Sequence, residues 1–224
     1  MENIINIIKY TLKELKNLYF VEVIILLISL FIGHFISIFT VGFEAIPIIS
    51  IILTINLVNH MIEFSKQISR SKGGLLFLAP IKGYEFVISK ILEFIISQGA
   101  LVGLYSLGIA IFNSSFSEGS VLILVKILFG MISSYTFIIL LILIYSTFFN
   151  KTKQVVICVI GTVVVGQWLA DSIFEKLFNL IPYIYLRIGT VIEFNLFKIF
   201  IELCVVVALI FYGSLRLDKN KDII

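Results

Sequence analysis

The chain has 224 residues, 60% of them apolar and only 14% charged. Soluble domains rarely pass about half apolar, so this composition excludes a water-soluble enzyme or binding domain and points to an integral membrane protein. The net charge of +3 is no sign of nucleic-acid binding, because the cations gather in alternate connections between apolar runs, as in membrane proteins.

Residues 1–19 read as an amphipathic helix. Ile5, Ile8, Leu12, Leu15 and Tyr19 recur every three or four positions, and Lys9, Lys13, Lys16, Asn6 and Asn17 take the other face. Such a helix lies in the membrane interface with its cations toward anionic headgroups. No signal-peptide cleavage pattern or lipidation motif accompanies it. The first span is expected at Phe20–Thr40 and the second at Ile46–Phe64, each roughly 30 Å long at about 1.5 Å per residue. Only Val41–Ala45 separates them.

A long basic connection follows, 65–83, with Lys66, Arg70, Lys72 and Lys82. Gly73-Gly74 and Ala79-Pro80 punctuate it, and Leu75, Leu76, Phe77 and Leu78 form an apolar patch between them. A loop that merely joined two helices could be far shorter, so this one reads as a docking surface. The third span is expected at Val87–Phe112, the fourth at Val121–Phe149 and a shorter fifth apolar run at Val155–Ala170. Residues 171–197 are too charged for a lipid-facing span and too apolar for a free loop. They read as a re-entrant or interfacial helical hairpin, since irregular backbone at membrane depth needs protein or water around it. The sixth span is expected at Ile199–Leu215.

Orientation follows from the cations. Lys9, Lys13 and Lys16, the loop cations, Lys151 and Lys153, and Arg216, Lys219 and Lys221 fall in one set of connections. The opposite set holds Lys176, Arg187 and Lys198 alone. The bias puts both termini in the cytoplasm. The fold class expected is therefore all-α, a single transmembrane domain over 1–224 with six spans in the cell membrane. The Ile, Lys and Asn usage points to an AT-rich bacterial genome.

The chain has no Walker A pattern, no H-E-x-x-H and no G-x-S-x-G, so no catalytic site, cofactor or metal site is expected within it. Cys158 and Cys204 read as buried free thiols in apolar segments. The second span carries a polar stripe, Asn56, Asn59, His60 and Glu63, spaced to share one face. Polar groups in lipid are costly, so this face is expected to meet another helix, a dimer partner or a substrate path. Gln167 near the outer end of the fifth run is a further candidate for that path, with Trp168 beside it as an interfacial anchor. His34 reads as a packing partner. Glu93, Gln98 and Glu202 are further polar positions within spans. Lys90 and Lys126, like Glu93 and Glu202, lie close enough to span ends to snorkel.

This organisation resembles the membrane subunits of type-2 ABC exporters, with the nearest local likeness in SRSKGGLLFLAPIKGYEFVISKIL. Arg70, Gly73, Leu76, Pro80 and Lys90 fill the roles of that family's basic or acidic cluster, glycine, Leu-rich turn, proline and later lysine; Lys72 stands where an acidic residue is usual. The resemblance implies that 65–83 holds a cytoplasmic coupling helix and that 171–197 is an external re-entrant hairpin. It implies docking of a separate ATPase subunit through Arg70, Lys72, Gly73, Leu75, Leu76, Leu78 and Pro80, with ATP and Mg bound by that partner. A second permease subunit, identical or similar, would complete the pathway, and a hydrophobic or amphipathic substrate such as a peptide, bacteriocin or drug would be exported. A non-transporting membrane scaffold, sensor or assembly protein fits the hydropathy as well. A secondary transporter would show inverted repeats, which the halves of this chain lack.

Overall fold

The computed structural model describes residues 2–39, 46–68, 82–112, 118–149, 154–166, 185–188 and 192–221. Its helices are α1 (Glu2–Glu14), α2 (Lys16–Phe39), α3 (Ile46–Ile68), α4 (Gly83–Phe112), α5 (Glu118–Phe148), α6 (Gln154–Gly166) and α7 (Leu196–Lys221). A two-stranded antiparallel ladder, β1 (Tyr185–Ile188) with β2 (Ile192–Asn195), precedes α7. Among the described residues the apolar runs form helices, and the fold is helical apart from this ladder.

Among the described residues, two helical stretches are long and apolar enough to cross a membrane, Gly83–Ile111 and Ile123–Ser146, which marks the chain as a membrane protein. α1 and α2 add a third if they count as one bent span; the bend between them is 62°. The two helices are joined by continuing backbone hydrogen bonds, Leu15 N–H to the Thr11 carbonyl and Tyr19 N–H to the Leu15 carbonyl.

The chain divides into two compact units, Met1–Glu63 with Ile88–Tyr135, and Phe64–Val87 with Thr136–Ile224. The core of the first is Leu26 and Leu30 from α2, Ile49, Ile52 and Leu53 from α3, Leu101, Val102 and Tyr105 from α4, and Leu124 from α5. α2 lies close against α4, because a Cβ at Gly108 would run into the Leu30 side chain. In the second unit Phe64 stacks on Phe86 with ring centroids 5.7 Å apart, and Tyr145 hydrogen-bonds Thr162 between α5 and α6. Gly83 N–H at the start of α4 donates to the Asp218 carboxylate on α7 at 2.7 Å, and Lys82 N–H donates to Glu85 at 3.1 Å. Both bonds satisfy amides that a helix N-terminus leaves open.

The segment 171–197 departs from the helical hairpin expected of it. Where it is described, at Tyr185–Ile188 and Ile192–Asn195, the backbone is a β-ladder with Arg187 opposite Glu193 and Ile188 opposite Ile192. Tyr, Ile and Phe favour a pleated strand. The loop residues Arg70, Lys72, Gly73, Leu75, Leu76, Leu78 and Pro80 lie outside the described residues, as does Gln167.

Candidate functional site

The first unit buries its polar side chains together. Thr11 of α1, Glu22 of α2, Asn56 and His60 of α3, and Lys90, Glu93, Ser97 and Gln98 of α4 are all buried. Spacing explains why each helix contributes a row. Asn56 and His60 are four apart, and Lys90, Glu93 and Ser97 are three and four apart, so each set shares one helix face.

The side chains join into one string. Lys90 Nζ donates to Thr11 Oγ1 and to Glu93 Oε2, both at 2.9 Å. Glu93 Oε1 lies 3.7 Å from His60 Nδ1. His60 Nε2 is 3.1 Å from Ser97 Oγ and 3.0 Å from the Tyr19 hydroxyl. Ser97 Oγ reaches Asn56 Oδ1 at 3.3 Å, and Asn56 Nδ2 donates to Glu22 Oε2 at 2.7 Å. The string thus runs from the amphipathic helix α1 through α4 and α3 to α2. Gln98 Nε2 stands beside it, donating to the Leu53 carbonyl at 3.1 Å.

Aromatic rings wall the middle of the string. Phe94 and Tyr135 stack at 4.0 Å, and the His60 ring meets both nearly edge-on, at 5.3 and 6.0 Å. The wall keeps solvent from the His60–Glu93 contact, and polar contacts weigh more where water is excluded. Five buried oxygens around the string and the core have no protein hydrogen-bond partner: Glu22 Oε1, Glu93 Oε1, Gln98 Oε1, and the Tyr105 and Tyr135 hydroxyls.

The stripe positions divide. Asn56 and His60 enter the string; Asn59 is half-buried beside the Glu22 carboxyl, and Glu63 is half-buried one turn further on. Lys90 and Glu93 do not snorkel. Each is at most 3% exposed and they pair with each other, because α4 begins at Gly83 and carries both positions under α1 and α3. Lys126 is exposed, as snorkelling requires. Sequence reasoning passed over Glu22, Ser97 and Thr11, and took Tyr19 only as part of the apolar face of residues 1–19. The signal for Glu22 was its solitude, a lone carboxylate just inside an apolar run that needs a polar partner from another helix.

Exposure is inverted relative to a soluble protein. Phe20, Phe31, Ile111, Ile157, Val164, Val207 and Phe211 stand open on the helix surfaces while carboxylates, an ammonium and amides are inside. That is the arrangement lipid selects, since apolar side chains lose nothing by facing it and polar ones must find partners within the bundle. No protein-family model, curated protein or solved structure matches this chain.

Proposed function

We propose that the chain is the permease subunit of an ATP-binding cassette exporter, driven by a separate ATPase and moving a hydrophobic or amphipathic substrate. The observation that carries this reading is the order of parts. An amphipathic helix leads into apolar helices, a long basic loop with an apolar patch separates the second from the third, and no nucleotide-binding motif occurs in the chain. Six spans, with both termini cytoplasmic in a bacterial cell membrane, fit that order. The Gly83–Asp218 hydrogen bond supports it, because the loop exit and the end of α7 then share a side. A second permease subunit, identical or similar, completes the pathway.

The buried string supports transport over a purely structural role. Ionisable groups inside a helical bundle are costly and mark functional paths more often than packing. A membrane scaffold, sensor or assembly protein is the second reading, favoured by the interhelical bonds Gln98–Leu53 and Tyr145–Thr162, which tie helices together.

Leu76→Asp separates the two. In the proposed exporter Leu75, Leu76 and Leu78 fill a cleft on the ATPase, Arg70 and Lys72 make rim contacts, and Pro80 ends the short coupling helix. A charge at the centre of that patch costs about 2 kcal/mol or more, roughly thirtyfold in affinity. Insertion of the variant stays normal, recovery of the ATPase in a detergent pull-down falls, and substrate-stimulated ATP hydrolysis falls with it. Equal recovery and equal hydrolysis would remove the docking role and leave the scaffold reading in its place.

A further inference from the structure

The first unit buries four acidic or basic side chains among its described residues, Glu22, His60, Lys90 and Glu93, besides the tyrosines Tyr105 and Tyr135. Lys90 and Glu93 neutralise one another at 2.9 Å. Glu22 has no such partner. Its Oε2 accepts from the Asn56 amide and Asn59 lies beside the same carboxyl, both of them neutral groups that leave its charge uncancelled. With Glu22 a carboxylate and His60 a neutral imidazole, the buried set carries one uncompensated negative charge, and an unpaired ion inside a helical bundle is costly. A single proton cancels that charge whether it sits on the Glu22 carboxyl or on the His60 ring.

The neighbouring elements supply no other buried cation among the described residues. α1 presents Thr11, with Lys9 and Lys13 exposed, and α2 presents the half-buried Tyr19, with Lys16 exposed. α3 adds Asn56, Asn59 and the half-buried Glu63; α4 adds Ser97 and Gln98; α5 adds Tyr135, with Lys126 exposed. A metal ion fits the site poorly. The group on Glu22 Oε2 is an amide N–H, and no three His, Cys, Asp or Glu among the described residues converge.

We infer that Glu22, Asn56, Ser97 and His60 form a binding site for one exchangeable proton, held at neutral pH between the Glu22 carboxyl and the His60 imidazole. Asn56 and Ser97 connect the two ends, at 2.7 Å to Glu22 and 3.1 Å to His60. Asn56 donates from its amide nitrogen to Glu22 and accepts at its amide oxygen from Ser97, whose hydroxyl can in turn accept from His60, so one string joins the two ends and the pair titrates as a unit. The site joins three helices, so separating α2 from α3 would break the string and free the proton. The inference does not depend on an ATPase partner and holds equally for a scaffold.

The test uses the full chain in lipid nanodiscs at pH 7, with carboxyl-¹³C glutamate for infrared spectroscopy and ¹⁵N histidine for NMR. Wild type is expected to show either the carbonyl stretch of a protonated Glu22 or an imidazolium at His60. Glu22→Gln keeps an oxygen for the Asn56 amide and removes the charge, so both signals are expected to vanish. His60→Gln leaves Glu22 as the acid, and its spectrum also assigns the His60 resonances against those of His34. A carboxylate at Glu22 together with a neutral His60 in wild type overturns the proposal. An acid band unchanged in Glu22→Gln, with His60 neutral, overturns it too. Loss of the signal on adding sodium or potassium at constant pH would make this a metal-cation site and also overturn it. If Glu22→Gln fails to fold, His60→Gln decides: a carboxylate at Glu22 in that variant refutes the assignment.

Discussion

Lys90 and Glu93 show what a buried charge demands of its neighbours. The ammonium donates to the carboxylate and to Thr11 Oγ1, both at 2.9 Å. Removing one partner strands the other, so Lys90→Met and Glu93→Leu are each expected to destabilise the protein by about 3–5 kcal/mol. The double change Lys90→Met with Glu93→Leu leaves no charge behind, and its cost is expected to fall well below the sum of the singles. Denaturant unfolding in detergent of the wild type, both singles and the double completes the cycle; additive losses would show that the two side chains do not act as a pair. Part of this site could be read in advance. Asn56 and His60 stood out because their spacing puts two costly groups on one helix face. Lys90 and Glu93 were masked by their nearness to a span end, where a long side chain ordinarily escapes to water. Their burial is set by α1 folding over α4, a tertiary contact that no local pattern encodes.

At the scale of elements, hydropathy located the helices because Gly, Pro, Asn and charge bound each apolar run. The bend at Leu15 was less legible, since the three- and four-residue spacing of α1 runs on unbroken through Tyr19. The ladder at Tyr185–Asn195 was hidden by apolar residues that suit strand and helix alike, and in such short runs only pairing decides. Gly108 and Gly213 mark where helices approach closely, a constraint the sequence records without naming the partner. A Cβ at Gly213 on α7 would run into the Leu143 side chain of α5, with Leu140 Cδ2 at 3.9 Å. Gly213→Ala is expected to be close to neutral, because the shift of Leu143 toward a poorer rotamer costs about 1 kcal/mol and alanine gains about as much over glycine inside a helix. Gly213→Leu cannot be absorbed that way and is expected to cost about 1–3 kcal/mol through overpacking. Thermal unfolding of the purified protein ranks the two; equal stability of wild type and Gly213→Leu would mean that α7 does not seat on α5 at this point.

For the molecule as a whole, the question is on which side of the membrane each connection lies. Two independent observations bear on it. The cations crowd the N-terminus, the 65–83 loop, the 150–154 connection and the C-terminal tail, and such a bias faces the cytoplasm. Separately, Gly83 N–H binds Asp218 at 2.7 Å, so the start of α4 and the end of α7 meet. α4 then runs one full span away, toward the connection that contains Ser115. Three single-cysteine proteins follow from this, Lys82→Cys, Asn220→Cys and Ser115→Cys. Each is made with Cys158 and Cys204 replaced by serine and alanine, because Cys204 is exposed and would itself react. In intact cells an impermeant maleimide is expected to label Ser115→Cys alone. In inverted vesicles it is expected to label Lys82→Cys and Asn220→Cys together. The pairing of the last two tests the hydrogen bond, and their opposition to the first tests the charge bias. Labelling of Asn220→Cys with Ser115→Cys from outside would break the six-span order. Splitting of Lys82→Cys from Asn220→Cys would leave the charge bias standing but part α4 from α7, and a loop held on one side with the tail on the other could not share an ATPase as their common partner.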